Sequence, residues 1–202
     1  KGMTFDLTTP KTDYQSLQIG LIGRHQLDNA ATAVSAVEAL SLTGGINITK
    51  EAIYVGLKDA KWPGRLEMMG EEPTILIDGA HNIAGVKTLK AALDEYFSAR
   101  KMILVVGILE DKDYKEMLQE LVPVADTVIC TAPDSPRALP AAKLSETVLN
   151  IFPNAPMKIY AEERIEDAVN LASSLAAEED MIVFAGSLYM IGHVRTLFKA
   201  QN

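Results

Sequence analysis

The sequence predicts an α/β fold, in which a mostly parallel β-sheet with helices on both faces follows a shorter segment of strands and helices. Five short apolar segments alternate with five longer segments whose apolar residues recur at helical spacing. The predicted strands cover residues 74–77, 102–106, 127–130, 157–160 and 181–185, and the predicted helices cover 85–96, 114–121, 141–151, 165–175 and 189–198. Five β-α units in series indicate a parallel sheet, and wholly apolar strands fit a sheet that is buried on both faces.

The composition is that of a globular chain and argues against several classes of protein. Of the 202 residues, 48% are hydrophobic and 23% are charged, which is enough to build a sizeable core. The net charge of −8 argues against a general nucleic-acid-binding surface. The single cysteine, Cys130, excludes an internal disulfide framework, and its apolar neighbours predict a buried structural thiol. No apolar segment is long enough to cross a bilayer and no signal peptide is visible, so we expect no membrane partner and a cytoplasmic location.

Before the repeating part, the sequence predicts two short strands within residues 1–24 and two helices. Apolar residues alternate with polar or small ones over 14–21, as in a half-buried strand. An isolated pair of short strands is marginal in water, so we expect these strands to need a partner sheet. A helix is predicted for residues 27–42, and a shorter one begins after Thr49, its candidate N-cap, and ends near Leu57.

A domain boundary is predicted at the Pro-Gly turn that follows Trp62, which divides the chain into residues 1–61 and 62–202. Arg65 follows the flexible glycine of this turn. A guanidinium in that position could bind a phosphate group. The alternative is a solvated linker arginine, and spacing alone does not decide between the two.

The apolar run at 75–77 ends in the polar stretch Asp78, Gly79, Ala80, His81 and Asn82, just before a predicted helix. These residues therefore lie at the carboxyl end of a strand, where open α/β sheets bind their ligands. The helix amino terminus adds N–H donors suited to phosphate or carboxylate. The alternative is that Asp78 only makes a turn and His81 only caps the helix.

Other candidate residues are less specific. Gln26 and Asn29 share one helix face, and an Asn amide can pair with the N6 and N7 edge of adenine, although spacing alone favours the more ordinary role of capping the helix start. The run Asp111, Lys112 and Asp113 could bind a cation, orient a substrate or form a solvated loop. The sequence contains neither a P-loop motif nor the G-x-G-x-x-G dinucleotide motif, and its three histidines are scattered.

Five stretches, taken together and in this order, resemble bacterial folylpolyglutamate synthase, which is often bifunctional with dihydrofolate synthase and belongs to the Mur-type ATP-dependent amide ligases. The stretches are GRHQLDNA at 23–30, WPGRLE at 62–67, DGAHN at 78–82, GILEDKD at 107–113 and GSLYMIGHVR at 186–195. One departure is Ile83, where related ligases often have proline. We expect this change to alter the stiffness of the loop more than its chemistry.

The resemblance implies a two-domain enzyme of which this chain is the carboxyl-terminal part. An amino-terminal ATPase domain would carry the P-loop and most of the Mg²⁺ site, so no metal ligand is assigned here. Residues 1–61 would be the tail of that ATPase domain, and 62–202 a complete Rossmann-like glutamate-ligase domain that packs against it. The chain starts at Lys1 rather than Met, which fits a longer parent, and we expect the chain alone to be inactive.

The resemblance also implies a reaction and a set of roles. ATP would phosphorylate the γ-carboxylate of a folate, or the carboxylate of dihydropteroate, and the amine of glutamate would then displace phosphate. Asn29 would hold adenine, Asp78 the ribose hydroxyls and Arg65 the phosphates. His81 would lie near the glutamate and the acyl phosphate, so that His81 and Asp78 are the catalytic candidates. Ser187 and Tyr189 would bind glutamate.

Many relatives are monomers, so we expect a monomer.

Two alternative functions remain open from the sequence. A Mur-type ligase acting on a UDP-muramyl substrate would share the architecture, although the WPGRLE and GSLY stretches favour the folate branch. A non-catalytic nucleotide-binding α/β module would belong to a different class. It would bind its ligand without turnover.

Overall fold

The computed structural model describes residues 2–44, 47–154 and 156–200. The chain forms two compact units, Lys1–Pro63 and Gly64–Asn202, which divide two residues after the predicted boundary. That the first unit is the tail of an ATPase domain stays a prediction. Within the described ranges, no helix combines the length and the apolar character that crossing a membrane requires.

The first unit is an antiparallel pair of strands packed against two helices. Its elements are β1 (Met3–Thr8), β2 (Asp13–Ile19), α1 (His25–Leu42) and α2 (Lys50–Lys58). Both predicted helices are confirmed, and the Thr49 side chain caps α2 by accepting a hydrogen bond from the Ala52 N–H at 3.2 Å. Among the described residues the two strands pair only with each other and pack against both helices, and the partner sheet that we expected stays a prediction.

A buried carboxylate fixes α1 to the strands of this unit. The hydroxyl groups of Thr9 and Tyr14 both donate to the same Glu38 oxygen, Oε1, at 3.0 and 2.9 Å. Burial, together with the hydrogen bond to Glu38, raises the pKa of Tyr14. The tyrosine therefore stays protonated and keeps donating throughout the physiological pH range.

The second unit is a six-stranded sheet with helices on both faces, as predicted. The strand order is β3-β4-β8-β5-β6-β7, and every neighbouring pair is parallel except β3 with β4. The strands are β3 (Glu67–Glu71), β4 (Thr74–Ile77), β5 (Met102–Val106), β6 (Thr127–Thr131), β7 (Lys158–Glu162) and β8 (Met181–Ala185). The helices are α3 (Ile83–Tyr96), α4 (Tyr114–Leu121), α5 (Ala141–Ile151), α6 (Ile165–Leu175) and α7 (Leu188–Ala200), with a short 3-10 helix at Val122–Val124.

All five predicted β-α units are therefore confirmed, and one strand was missed. The edge strand β3 lies where the sequence predicted only a turn or linker, because its Gly70 and two glutamates lack the apolar alternation of a strand. It also pairs irregularly, since its register with β4 shifts between Met68 and Gly70. This antiparallel strand begins directly after Arg65 and Leu66.

The core lies on both faces of the four central strands, β4, β8, β5 and β6, whose residues are all buried. Helices α6 and α7 pack on one face, against side chains such as Ile103 and Phe184. Because successive side chains in a strand point to opposite faces, the fully buried Leu76 and Leu104 face the other layer, on the side of α3 and α4. Strand β8 lies between β4 and β5, so the loops that follow these three strands are neighbours.

The buried thiol gives a first testable prediction. Cys130 on β6 is fully buried, and burial raises its pKa to about 12. A thiol with a raised pKa carries almost no thiolate near pH 8, and thiolate is the form that reacts. We therefore expect no alkylation of the native protein by iodoacetamide at pH 8, and complete alkylation in urea. Intact-mass spectrometry measures both, and rapid alkylation of the native chain would contradict the buried placement.

Candidate active site

The carboxylate of Asp78, at the end of β4, organises the loops around it. Its Oδ1 accepts a hydrogen bond from the Ala80 N–H at 2.8 Å, and its Oδ2 accepts one from the Leu66 N–H at 2.9 Å. The residue is only 7% exposed. Asp78 therefore does make a turn, which was the alternative considered from the sequence, and it also anchors the segment that precedes β3.

The imidazole of His81 is oriented by the same loop. Its Nδ1 lies 2.7 Å from the carbonyl oxygen of Gly79. Because a carbonyl oxygen only accepts, Nδ1 carries the proton, and in the neutral ring Nε2 is then the acceptor. The helix cap is made by Asn82, whose side-chain oxygen accepts from the Gly85 N–H at 2.8 Å. The alternative that His81 only caps the helix is therefore wrong, because Asn82 is the N-cap of α3.

Three segments meet at Gly79. A Cβ atom at this position would collide with the guanidinium of Arg65 and with the side chain of Leu188, the first residue of α7. The Gly79 N–H also donates to the Gly64 carbonyl oxygen at 2.7 Å. A side chain at this position would have to displace both of these side chains, and the half-buried Arg65 lies against the loop rather than in a solvated linker.

The loop after β8 carries the next two candidates. The hydroxyl oxygen of Ser187, which is buried, accepts from the Tyr189 N–H at 3.2 Å at the start of α7. The Tyr189 side chain is 54% exposed. The Gly186 N–H donates to the Ala80 carbonyl oxygen at 2.9 Å, which ties this loop to the loop after β4.

A cavity of about 160 Å³ lies at this edge of the sheet. Its walls come from the loops after β4, β5, β6 and β8. The lining residues are His81, Leu109, Lys112, Arg137, Gly186, Ser187, Leu188 and Tyr189. The structure thus brings His81, Ser187 and Tyr189 together in one cavity, with Asp78 and Arg65 beside it at Gly79.

Two charged residues of the cavity, Lys112 and Arg137, were not among the site residues assigned from the sequence, although Lys112 belongs to the 111–113 run considered above. Their loops follow β5 and β6 and are joined by backbone hydrogen bonds from Glu110 N–H to Arg137 O at 2.8 Å and from Leu139 N–H to Ile108 O at 3.0 Å. Both loops follow predicted strands of one parallel sheet and therefore lie at the same edge as residues 78–82, which is the signal that could have found them. Their pairing depends on the neighbouring positions of β5 and β6.

The carboxylate of Asp111 lies between these two cations. One of its oxygens is 3.1 Å from Arg137 Nη1 and 3.8 Å from Lys112 Nζ. The three side chains together carry one net positive charge. In the part of the chain that the structure describes, no group of three or more His, Cys, Asp or Glu side chains could hold a metal ion. Asp111 therefore orients cations of the protein, and nothing indicates that the 111–113 run binds an added one.

Asn29 lies in the first unit and is exposed on the first turns of α1. Its side-chain nitrogen donates to the Gln26 side-chain oxygen at 3.0 Å, so the two share a face as expected. Arg24, at the N-cap of α1, makes no side-chain cap hydrogen bond. Because Arg24 occupies the N-cap position, Gln26 and Asn29 lie inside the helix rather than at its cap.

Known proteins resemble this chain in sequence and structure. Residues 64–188 match the family described as Mur ligase, glutamate ligase domain. The dihydrofolate synthase/folylpolyglutamate synthase of Bacillus subtilis is 32% identical over 198 residues, which cover 98% of this chain and 45% of that protein.

Two solved structures share the fold over nearly the whole chain. Folylpolyglutamate synthase of Mycobacterium tuberculosis, complexed with ADP and AMPPCP, superposes with a TM-score of 0.82 and 35% identity over 92% of this chain and 42% of its own. Escherichia coli FolC in complex with DHPP and ADP gives a TM-score of 0.84 and 26% identity over 97% of this chain and 44% of its own. The chain spans less than half the length of these relatives. It belongs to the Mur ligase family, and the glutamate ligase domain of that family begins at residue 64.

Proposed function

We propose that this chain is the carboxyl-terminal part of an ATP-dependent ligase that joins L-glutamate to the γ-carboxylate of folates, with dihydropteroate as a further acceptor. The carboxylate is first activated as an acyl phosphate, and the amine of glutamate then displaces phosphate. The observation that carries the proposal is the cavity lined by His81, Lys112, Arg137 and Ser187 in a chain of this family. Such chemistry depends on positioning and charge stabilisation rather than on a covalent nucleophile.

The cavity suits the incoming amino acid better than the whole folate. Its volume of about 160 Å³ is below the roughly 300–1,000 Å³ of sites that enclose larger ligands. Glutamate brings two carboxylates, and Lys112 and Arg137 supply two cations from adjoining loops. Hydrogen bonds between ionised partners are stronger than neutral ones. The buried Ser187 and the exposed ring of Tyr189 would complete the contacts with glutamate.

His81 is placed to act on the amine. An ammonium group cannot attack a carbonyl until it has lost a proton. The hydrogen bond from Nδ1 to Gly79 leaves Nε2 as the proton acceptor of the neutral ring. We assign His81 Nε2 the role of accepting that proton, or of orienting the amine before attack.

ATP is proposed as the co-substrate, with three residues of this chain as its ligands. The guanidinium of Arg65 suits phosphate oxygens, and the carboxylate of Asp78, held by two backbone donors, suits the ribose hydroxyls. The exposed amide of Asn29 suits the adenine edge. The relative from M. tuberculosis is complexed with ADP and AMPPCP, which supports an adenine nucleotide.

Magnesium is proposed as the accompanying metal, with its ligands outside this chain. The described residues include no cluster that fits a metal ion. When bound, Mg²⁺ would neutralise charge on the phosphates. We further propose a cytoplasmic monomer that has no nucleic-acid or membrane partner and packs against its own amino-terminal ATPase domain.

The function is tested by phosphate release from the full-length protein with ATP, Mg²⁺ and glutamate. Dihydropteroate, tetrahydrofolate and a UDP-muramyl precursor are compared as acceptors. We expect release that depends on a pteridine acceptor. Release only with the muramyl precursor would reassign the substrate within the same family. Nucleotide binding without release for any of the three would favour a non-catalytic module.

The two cavity cations give a prediction with a matched control. We expect Arg137→Met and Lys112→Met each to raise the KM for glutamate about tenfold or more, because each removes a charge-assisted hydrogen bond. The KM for ATP should stay within about twofold of the wild-type value. Lys143→Met is the control, since Lys143 pairs with Glu110 at 3.2 Å outside the cavity. An unchanged KM for glutamate in both cavity variants would remove the glutamate assignment.

Asp78→Ala in the full-length enzyme should abolish most of the ligase activity. It should also lower the free energy of unfolding by about 1–3 kcal/mol, because two backbone N–H groups lose their acceptor. The ribose role is separated from this anchoring role by nucleotide analogues. In the wild type, 2′-deoxy-ATP and 3′-deoxy-ATP should be poorer substrates than ATP, and in Asp78→Asn this preference should disappear. Near-normal activity of Asp78→Ala would refute the ribose assignment.

A further inference from the structure

The segment that carries Arg65, here called the Arg65 turn (residues 64–67), adopts a backbone conformation that needs outside support. Gly64 has φ 73° and Leu66 has φ 43°. Positive φ is accessible to glycine but strained for leucine, whose Cβ crowds the backbone. Contacts beyond the turn must therefore hold it in place, since its own sequence does not favour this shape.

Glu67 closes the turn from within. Its Oε2 accepts a hydrogen bond from the Gly64 N–H at 2.7 Å, which closes the turn around Arg65. The other attachments of the turn are the hydrogen bonds from Leu66 N–H to Asp78 and from Gly79 N–H to the Gly64 carbonyl oxygen. The Glu67 carboxylate thus closes the turn, and the Asp78 carboxylate fixes the turn to the β4 loop.

Arg195 on α7 holds the carboxylate of Glu67. Its Nε lies 3.0 Å from both Glu67 oxygens. The two side chains are 29% and 22% exposed, so the pair is largely shielded from water. A shielded pair is screened less by salt than a surface pair, and loss of one partner leaves the other charge without compensation.

One face of α7 runs along the whole turn. Leu188 packs at Gly79 beside Arg65, and a Cβ at Gly64 would come within 2.7 Å of Ile191 Cδ1. Arg195, one turn further along the helix, contacts the Glu67 carboxylate. The spacing of three and four residues places all three on one side of the helix. The same helix begins at the cavity, where Ser187 and Leu188 form part of the wall.

We propose that Arg195 is a positioning residue for the proposed reaction. By holding Glu67, Arg195 fixes where Arg65 lies relative to the cavity. The inference rests on the proposed role of Arg65 as a phosphate ligand. A guanidinium on a flexible side chain stabilises transferring charge only when its backbone is fixed, because small displacements cost rate steeply. Arg195 does this without contacting a substrate.

The kinetic test uses the full-length protein with Arg195→Ala, Arg195→Lys, Glu67→Gln and the Arg195→Ala/Glu67→Gln double variant. Lys199→Ala is the matched control, since Lys199 is an exposed cation one turn further along α7. We expect Arg195→Ala to raise the KM for ATP or to lower kcat about tenfold, with the KM for glutamate within twofold of the wild-type value. Arg195→Lys should restore part of the loss, and the double variant should be no worse than the poorer single variant.

A second measurement does not depend on activity. Hydrogen exchange of the backbone amide of Gly64 should become faster in Arg195→Ala, while the Ala80 amide and the Lys199→Ala control stay unchanged. Unchanged exchange at Gly64, or a loss of melting temperature with kcat and both KM values unaltered, would overturn the positioning role. If the wild-type protein shows no ligation, the proposed function fails, and the exchange data still decide whether Arg195 holds the turn.

Discussion

The site depends on one buried carboxylate that accepts hydrogen bonds from two different segments. Asp78 binds the N–H of Ala80 in its own loop and the N–H of Leu66 ahead of β3. Backbone donors are rigid, so these bonds fix a position as well as compensate a charge. They join the strained Arg65 turn to the carboxyl end of β4, where the sheet opens toward the cavity. Without that junction, the Arg65 turn would lose one of its attachments to the β4 loop.

Much of this fold is predictable from the sequence because parallel strands and their helices have distinct periodicities. The apolar run Ile103–Val106 and the helical spacing of 165–175 each define an element without reference to the rest of the chain. The edge strand β3 is different, since its Gly70 and glutamates carry no local signal and pairing with β4 creates the strand. The order of the strands is also set by packing, which places the last strand, β8, in the middle.

The same distinction applies to the site. Asp78 and His81 follow a strand directly, so their location at the sheet edge is predictable from local sequence. Lys112 and Arg137 converge only because β5 and β6 are neighbours and their loops exchange backbone hydrogen bonds. A chain with net charge −8 nevertheless gathers two cations at one cavity, which shows why total charge says little about a local binding site.

The proposed catalysis by positioning raises a difficulty for a site built on loops, because loops are softer than the strands that carry them. Here hydrogen bonds continue past the ends of the strands. Gly186 N–H reaches Ala80 O at 2.9 Å, and Gly107 N–H reaches Ala185 O at 3.3 Å. Backbone hydrogen bonds of the sheet therefore continue into the loops after β4, β5 and β8. The hydrogen bonds between the β5 and β6 loops fix the remaining wall of the cavity. The Arg65 turn leads into the edge strand β3. Asp78 and the Gly79 N–H join the turn to the β4 loop, and Arg195 of α7 holds its Glu67 carboxylate.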